Sequence, residues 1–149
     1  MDMECQVPGL VDSGRLVEVQ IKNETDGWSY TSSWTPDDKS STREGYVNVP
    51  MLIGSEPGKV LKFPFTGPTV GIAVAAGPDA GIIEYSIDGE EWESVDLFTK
   101  WSGNLHLPWY LTLGDGLKKT SHLLRIRLSN NKNEASIGTV CRIRYFFVN

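Results

Sequence analysis

"IIEYSIDGEEWESVDLF", residues 82–98, decides the fold class. Ile83, Tyr85 and Ile87 alternate with Glu84 and Ser86, the period of two that gives a pleated strand one apolar face. A second alternating run follows Asp88-Gly89, two residues that tolerate positive φ. Such a dipeptide between two strand-like runs predicts a two-residue hairpin with Gly89 at positive φ.

The same period recurs along the chain. "VEVQIK" (17–22) sets Val17, Val19 and Ile21 against polar residues, and "VLKFPF" (60–65) aligns Leu61, Phe63 and Phe65. "TVGIAVAA" (69–76) alternates Val70, Ile72 and Val74 with Gly71, Ala73 and Ala75, as suits a central strand with close neighbours on its second face. "HLLRIRLS" (122–129) aligns Leu124, Ile126 and Leu128. "VCRIRYFFV" (140–148) aligns Cys141, Ile143, Tyr145 and Phe147, with the polar loop "NNKNEASIG" (130–138) between these two runs. About eight short strands with turn signals between them predict an all-β protein, a two-sheet antiparallel β-sandwich of jelly-roll type. No apolar stripe at helical spacing persists, so helix is limited to a turn or two within 97–101 or 115–119.

At 149 residues the chain fits one domain. With no linker or internal repeat, residues 1–149 read as a single sandwich, its core about 15–149 and 1–14 an N-terminal extension. A content of 40% hydrophobic and 22% charged residues excludes a disordered or collagen-like chain. The net charge of −5 argues against nucleic acid as a partner. Arg125 with Arg127, and Arg142 with Arg144, stand two apart and read as solvated sheet faces. No apolar run reaches the ~18 residues of a membrane helix, and "MDMECQVPGL" (1–10) is acidic where a signal peptide is basic. Cys5 and Cys141 are too few for a zinc cluster or a disulfide framework, and whether they pair stays open.

The usual catalytic constellations are missing. There is no GxSxG elbow, His106 is the sole candidate imidazole base, and His122 reads as a strand-end residue. Asp37, Asp38, Asp79, Asp88 and Asp115 fall in turns, and Glu18, Glu84 and Glu93 on polar strand faces, so turn chemistry explains them better than a glycosidase pair does. No cofactor or metal motif is present; a structural calcium ion held by loop carbonyls stays open.

What stands out is aromatic residues in loop-like sequence. "GWSYTSSW" (27–34) supplies Trp28, Tyr30 and Trp34, and Arg43 follows in the polar stretch 35–45. "KWSGNLHLPWYLTL" (100–113) adds Trp101, His106 and Tyr110. Flat rings beside hydrogen-bonding groups suit a pyranose, with its apolar C–H face and rim of hydroxyls, and they also suit lid packing over a sandwich. These seven residues are the candidate ligand contacts. Within 100–113 the even spacing of Leu105, Leu107, Leu111 and Leu113 predicts a crossover whose leucine side, with Trp109, enters the core. His106 and Tyr110 then face the other way, and Trp101 and His106 form a rim.

The combination "VNVPMLIG … VGIAVAAGPDAGIIEYSIDGEEWESVDLFTKWSGNLHLPWYLTL … HLLRIRLS … CRIRYFFVN" resembles the accessory β-sandwich modules of bacterial SGNH/GDSL-type hydrolases, related in layout to galactose-binding-like jelly rolls. It spans roughly residues 28–149, and its specificity lies in the Gly81-x-x-x-Tyr85-Ser86-Ile87-Asp88-Gly89 hairpin followed by a leucine- and tryptophan-rich crossover. The resemblance implies a secreted or periplasmic setting and a role beside a glycan-directed esterase. It carries no active site, because "LGDGLKK" (113–119) has Gly116 where that family's Gly-Asp-Ser block has its serine.

Three functions emerge as expectations. The first is a non-catalytic carbohydrate-binding or substrate-positioning module, with a carbohydrate ligand or a hydrolase catalytic domain as partner. The second is a purely structural domain that docks on a catalytic neighbour. The third, a small esterase using His106, lacks an indicated nucleophile.

Overall fold

The structure is a computed structural model that describes residues 15–35, 41–42, 48–99, 102 and 105–149. Eleven strands form among them: β1 (Arg15–Glu18), β2 (Trp28–Trp34), β3 (Ser41–Thr42), β4 (Val49–Gly54), β5 (Leu61–Thr66), β6 (Val70–Ala76), β7 (Ile82–Ile87), β8 (Glu93–Asp96), β9 (Leu105–Gly114), β10 (Ser121–Leu128) and β11 (Cys141–Val148). One sheet runs β4-β11-β6-β9 and the other β5-β10-β7-β8. From β4 onward successive strands therefore shuttle between two layers, the β7–β8 hairpin apart, as in a jelly roll. β2 extends the larger sheet beyond β4, and β3 adds a short parallel pairing to β9. β1 pairs with the stretch of β11 beyond the reach of β4.

The hairpin is present with Gly89 at positive φ, but it is not a plain two-residue loop: the ladder pairs Tyr85 with Glu93 rather than with Trp92, so one extra residue is taken up on the β8 side. Asp88 (φ 56°) and Gly89 (φ 77°) both lie in the left-handed region, and the Glu90 N–H donates to the Ile87 carbonyl at 3.1 Å. This is the type I′ geometry that matches strand twist. "VEVQIK" is corrected: the strand stops at Glu18, and Ile21–Asn23 form a 3-10 turn, the only helical segment among the described residues. "GWSYTSSW", expected to be loop-like, is strand β2. Residues 105–114, expected within a crossover, are strand β9, paired along most of β6.

The core lies between the sheets. β6 is buried along its whole length, with Val70, Ile72, Val74 and Ala76 facing inward. Phe63 of β5 stacks on Phe146 of β11, centroids 3.9 Å apart and planes within 4°, so one aromatic pair ties the two layers together. Each such fully buried ring contributes roughly 1.5–3 kcal/mol of transfer free energy. On the second face of β6, a Cβ at Gly71 would collide with the Phe147 ring and the Leu111 carbonyl, which explains a glycine in a central strand.

One sequence-based alignment fails at β11. Cys141 and Ile143 enter the core as expected, but so do Phe146 and Val148, while Tyr145 and Phe147 lie on the outer face. The cause is a register shift against β6 between Ile143 and Tyr145, a bulge at Arg144 that reverses the alternation beyond it. Cys141 is a free thiol within this core, and burial pushes its pKa up to about 12 against the opposing pull of Arg142.

Candidate functional site

The outer face of the larger sheet carries a second, small cluster: Trp34, Met51 and Ala75, with Val49, Ile53 and Tyr110 packed against it. Trp34 reaches it through a bulge. Trp28 and Tyr30 pair with β4 in one register and pack toward the core, then the register shifts between Thr31 and Trp34, which turns Trp34 to the opposite face. His106 meets Trp34 edge-on, centroids 5.1 Å apart at 81°. A Cβ at Gly77 would run into the His106 imidazole, so the tight β6–β7 connection fits over this ring only as glycine.

An ion pair completes the cluster. Arg142 donates from both terminal nitrogens to the two Asp79 carboxylate oxygens, each at 2.7 Å, and its guanidinium lies 5.3 Å from the Trp34 ring centroid. Burial raises the Asp79 pKa, but the two Arg142 bonds and its charge, with the His106 charge adding, outweigh that and hold the carboxyl below its ordinary value. The arginine pairs are thus not uniformly solvated. Arg144 is buried and bonds Glu18 at 2.8 and 3.1 Å, while Arg127 bonds Glu84 at 2.8 Å and lies 3.8 Å over the Trp92 ring.

Of the seven candidate ligand contacts, the fold brings Trp34, His106 and Tyr110 together and sends Trp28 and Tyr30 to the other face of the sheet. Trp28 lies in the core. It is 1% exposed, packs over Gly54, and donates its indole N–H to the Lys59 carbonyl at 2.9 Å. His106 faces away from the core as the alternation predicted, but it is 1% exposed rather than on a rim, because Trp34 and the Gly77 turn close over it. Trp34 is 8% exposed and Tyr110 is half-buried. Trp109 packs against the core as expected. Arg43, Trp101 and Cys5 lie outside the described residues.

A concavity on another part of the sandwich was not foreseen. A cleft of about 550 Å³ opens where β7 and its hairpin turn face the end of β9, lined by Tyr85, Asp88, Glu90, Glu93, Asp115 and Leu117 among others. Tyr85 is half-buried there, and its pKa is raised by burial and by Glu93. Asp88 is anchored by His122, and Asp115 accepts from Thr69 Oγ1 at 2.9 Å. These contacts need strands far apart in sequence. No group of three or more His, Cys, Asp or Glu converges as a metal site would require among the described residues.

No protein-family model matches the chain, and no curated protein matches it. Solved structures share its fold. A two-domain esterase (CEX) active on acetylated mannans, co-crystallised with mannopentaose, is similar at TM-score 0.58 and 12% identity, over 92% of this chain and 36% of that one. A xanthan lyase from Paenibacillus is similar at TM-score 0.56 and 18% identity, over 96% of this chain and 13% of that one. A family two carbohydrate esterase from Cellvibrio japonicus is similar at TM-score 0.52 and 12% identity, over 91% of this chain and 33% of that one. The chain spans about a third of the length of the two esterases. At such identities the likeness is one of fold: a β-sandwich found as one part of longer carbohydrate-active enzymes.

Proposed function

We propose that this chain is a non-catalytic carbohydrate-binding or substrate-positioning module that works beside a glycan-directed esterase of SGNH/GDSL type, outside the cytoplasm. One observation carries the reading: the sandwich matches over 92% of its own length a little more than a third of a two-domain esterase acting on acetylated mannans. The module role also agrees with Gly116 standing where the hydrolase family has its serine. Its sugar contact is assigned to the cleft, where the Tyr85 ring and the carboxylates of Glu90 and Glu93 offer an apolar face with acceptors for hydroxyls. Trp34, His106 and Tyr110 then serve as packing on the outer face of the larger sheet rather than as a stacking platform.

Calorimetric titration with mannopentaose and other neutral oligosaccharides tests this, together with an assay on acetylated sugars. Saturable binding without ester hydrolysis is expected. Turnover that survives repurification and disappears in His106→Ala overturns it.

A second reading, a structural domain that docks on a catalytic neighbour, is favoured by the burial of Trp28 and Trp34. Absence of glycan binding combined with stable association with an esterase domain would select it.

A further inference from the structure

The outer face of the smaller sheet holds two cations that its own stability does not explain. Lys62 of β5 and Arg125 of β10 are direct cross-strand partners and both point away from the core, since their neighbours Leu61, Phe63, Leu124 and Ile126 point into it. Directly opposed residues have Cβ atoms roughly 4.5–5.5 Å apart, and like charges so placed repel. Neither side chain has an ion-pair partner among the described residues, whereas Arg127 on the same face is neutralised by Glu84. A lysine on an edge strand discourages edge-to-edge pairing, which accounts for Lys62 beside Pro64. It does not account for a second cation opposite it, on a central strand of a chain whose net charge is −5.

We propose that this face binds the carboxylate of a uronic acid residue in an acidic glycan, with Arg125 offering its two-pronged guanidinium and Lys62 a point charge to the same group. A planar carboxylate matches the guanidinium fork, and the ammonium opposite can converge on it from the neighbouring strand. Ser86, the other cross-strand partner of Arg125, bonds its hydroxyl to the Glu90 carbonyl, and the Arg125 Nη1 stands 3.8 Å from where a Cβ would lie on Gly89, so the guanidinium reaches toward the hairpin turn and swings back over β10 to share a carboxylate with Lys62. Beside them Arg127, held by Glu84 and stacked on Trp92, gives the face a fixed wall. The inference rests on the carbohydrate reading and adds a contact face distinct from the cleft.

The test is calorimetric titration of the whole chain with oligogalacturonate, mannopentaose and an oligoglutamate of equal charge, at low and raised salt. Oligogalacturonate is expected to bind, more weakly as salt rises, and to lose about tenfold or more in affinity in Lys62→Gln and in Arg125→Gln, with Arg125→Lys in between. Mannopentaose binding should be the same in all variants. Their thermal midpoints should stand at or above the parent's, because one of two repelling charges is gone. Oligogalacturonate binding that the variants leave unchanged overturns the proposal, and so does oligoglutamate binding as tightly, which reduces the face to an unspecific anion patch. If mannopentaose binds and oligogalacturonate does not, the proposal falls and the carbohydrate reading stands. If neither binds, both fall.

Discussion

His122 and Asp88 clasp the β7–β8 hairpin to the start of β10: the imidazole Nδ1 lies 2.5 Å from Asp88 Oδ2, and its Nε2 lies 2.7 Å from the Lys118 carbonyl oxygen. Both ring nitrogens face acceptors, which only the doubly protonated imidazolium can satisfy. Asp88 Oδ1 accepts the Leu123 N–H at 2.8 Å, so one carboxylate sets the turn and the strand beside it.

A pH dependence arises from this clasp. The Lys118 carbonyl and Asp88 raise the His122 pKa above its ordinary 6.5, so the stabilisation is complete below that value and fades as pH rises through the folded one. Asp88 is held below its ordinary 3.8, chiefly by His122, so the clasp also weakens as pH falls through that lower range. The thermal midpoint should be higher near about pH 5.5 than near about pH 8, and His122→Gln should remove much of that difference. An equal slope in parent and variant would show that other groups govern it.

At the turn itself, Gly89 has φ 77° and room for a Cβ, the nearest atom being 3.8 Å away. Any cost of Gly89→Val is therefore backbone strain rather than collision, and denaturant unfolding should show a loss of about 1–3 kcal/mol. No change in midpoint would mean that the turn relaxes to another type.

The Asp79–Arg142 pair is expected to behave as a buried ion pair, its side chains 21% and 10% exposed. Asp79→Asn should cost about 2–4 kcal/mol, because it strands the guanidinium against Trp34. Adding Arg142→Met should recover part of that loss, since two neutral groups replace one unpaired charge. Additive losses in the double variant would argue against the pairing.

Gly77→Ala should lose about 1–3 kcal/mol by forcing its methyl into the His106 ring. In a His106→Ala background the same change should be nearly neutral. Equal losses in both backgrounds, read by denaturant unfolding, would place the strain elsewhere.

Much of the architecture was legible because period-two alternation is a direct image of a half-buried sheet. Phe63 and Phe65, Leu124 and Ile126, and the Asp88-Gly89 turn stand where that pattern puts them. The candidate site was less so, and two single-residue irregularities explain much of the gap. A bulge before Trp34 and another at Arg144 each reverse the facing of the residues beyond them, so Trp28 and Trp34, grouped in a stretch that reads as loop-like, part to opposite faces, and so do Cys141 and Phe147, which alternation aligns. The juxtaposition of Lys62 and Arg125, and of Asp88 and His122, depends on strand register between distant segments, which local spacing does not encode.

The sealed thiol of Cys141 makes the molecule its own stopwatch. Only a thiolate attacks an alkylating reagent, and a sulfhydryl with no solvent contact and a pKa near about 12 has almost none to offer at neutral pH. Labelling at that position, followed by peptide mass spectrometry, must wait for the strands around it to part. Its rate therefore reports how often the sandwich opens under native conditions, without denaturant or heat.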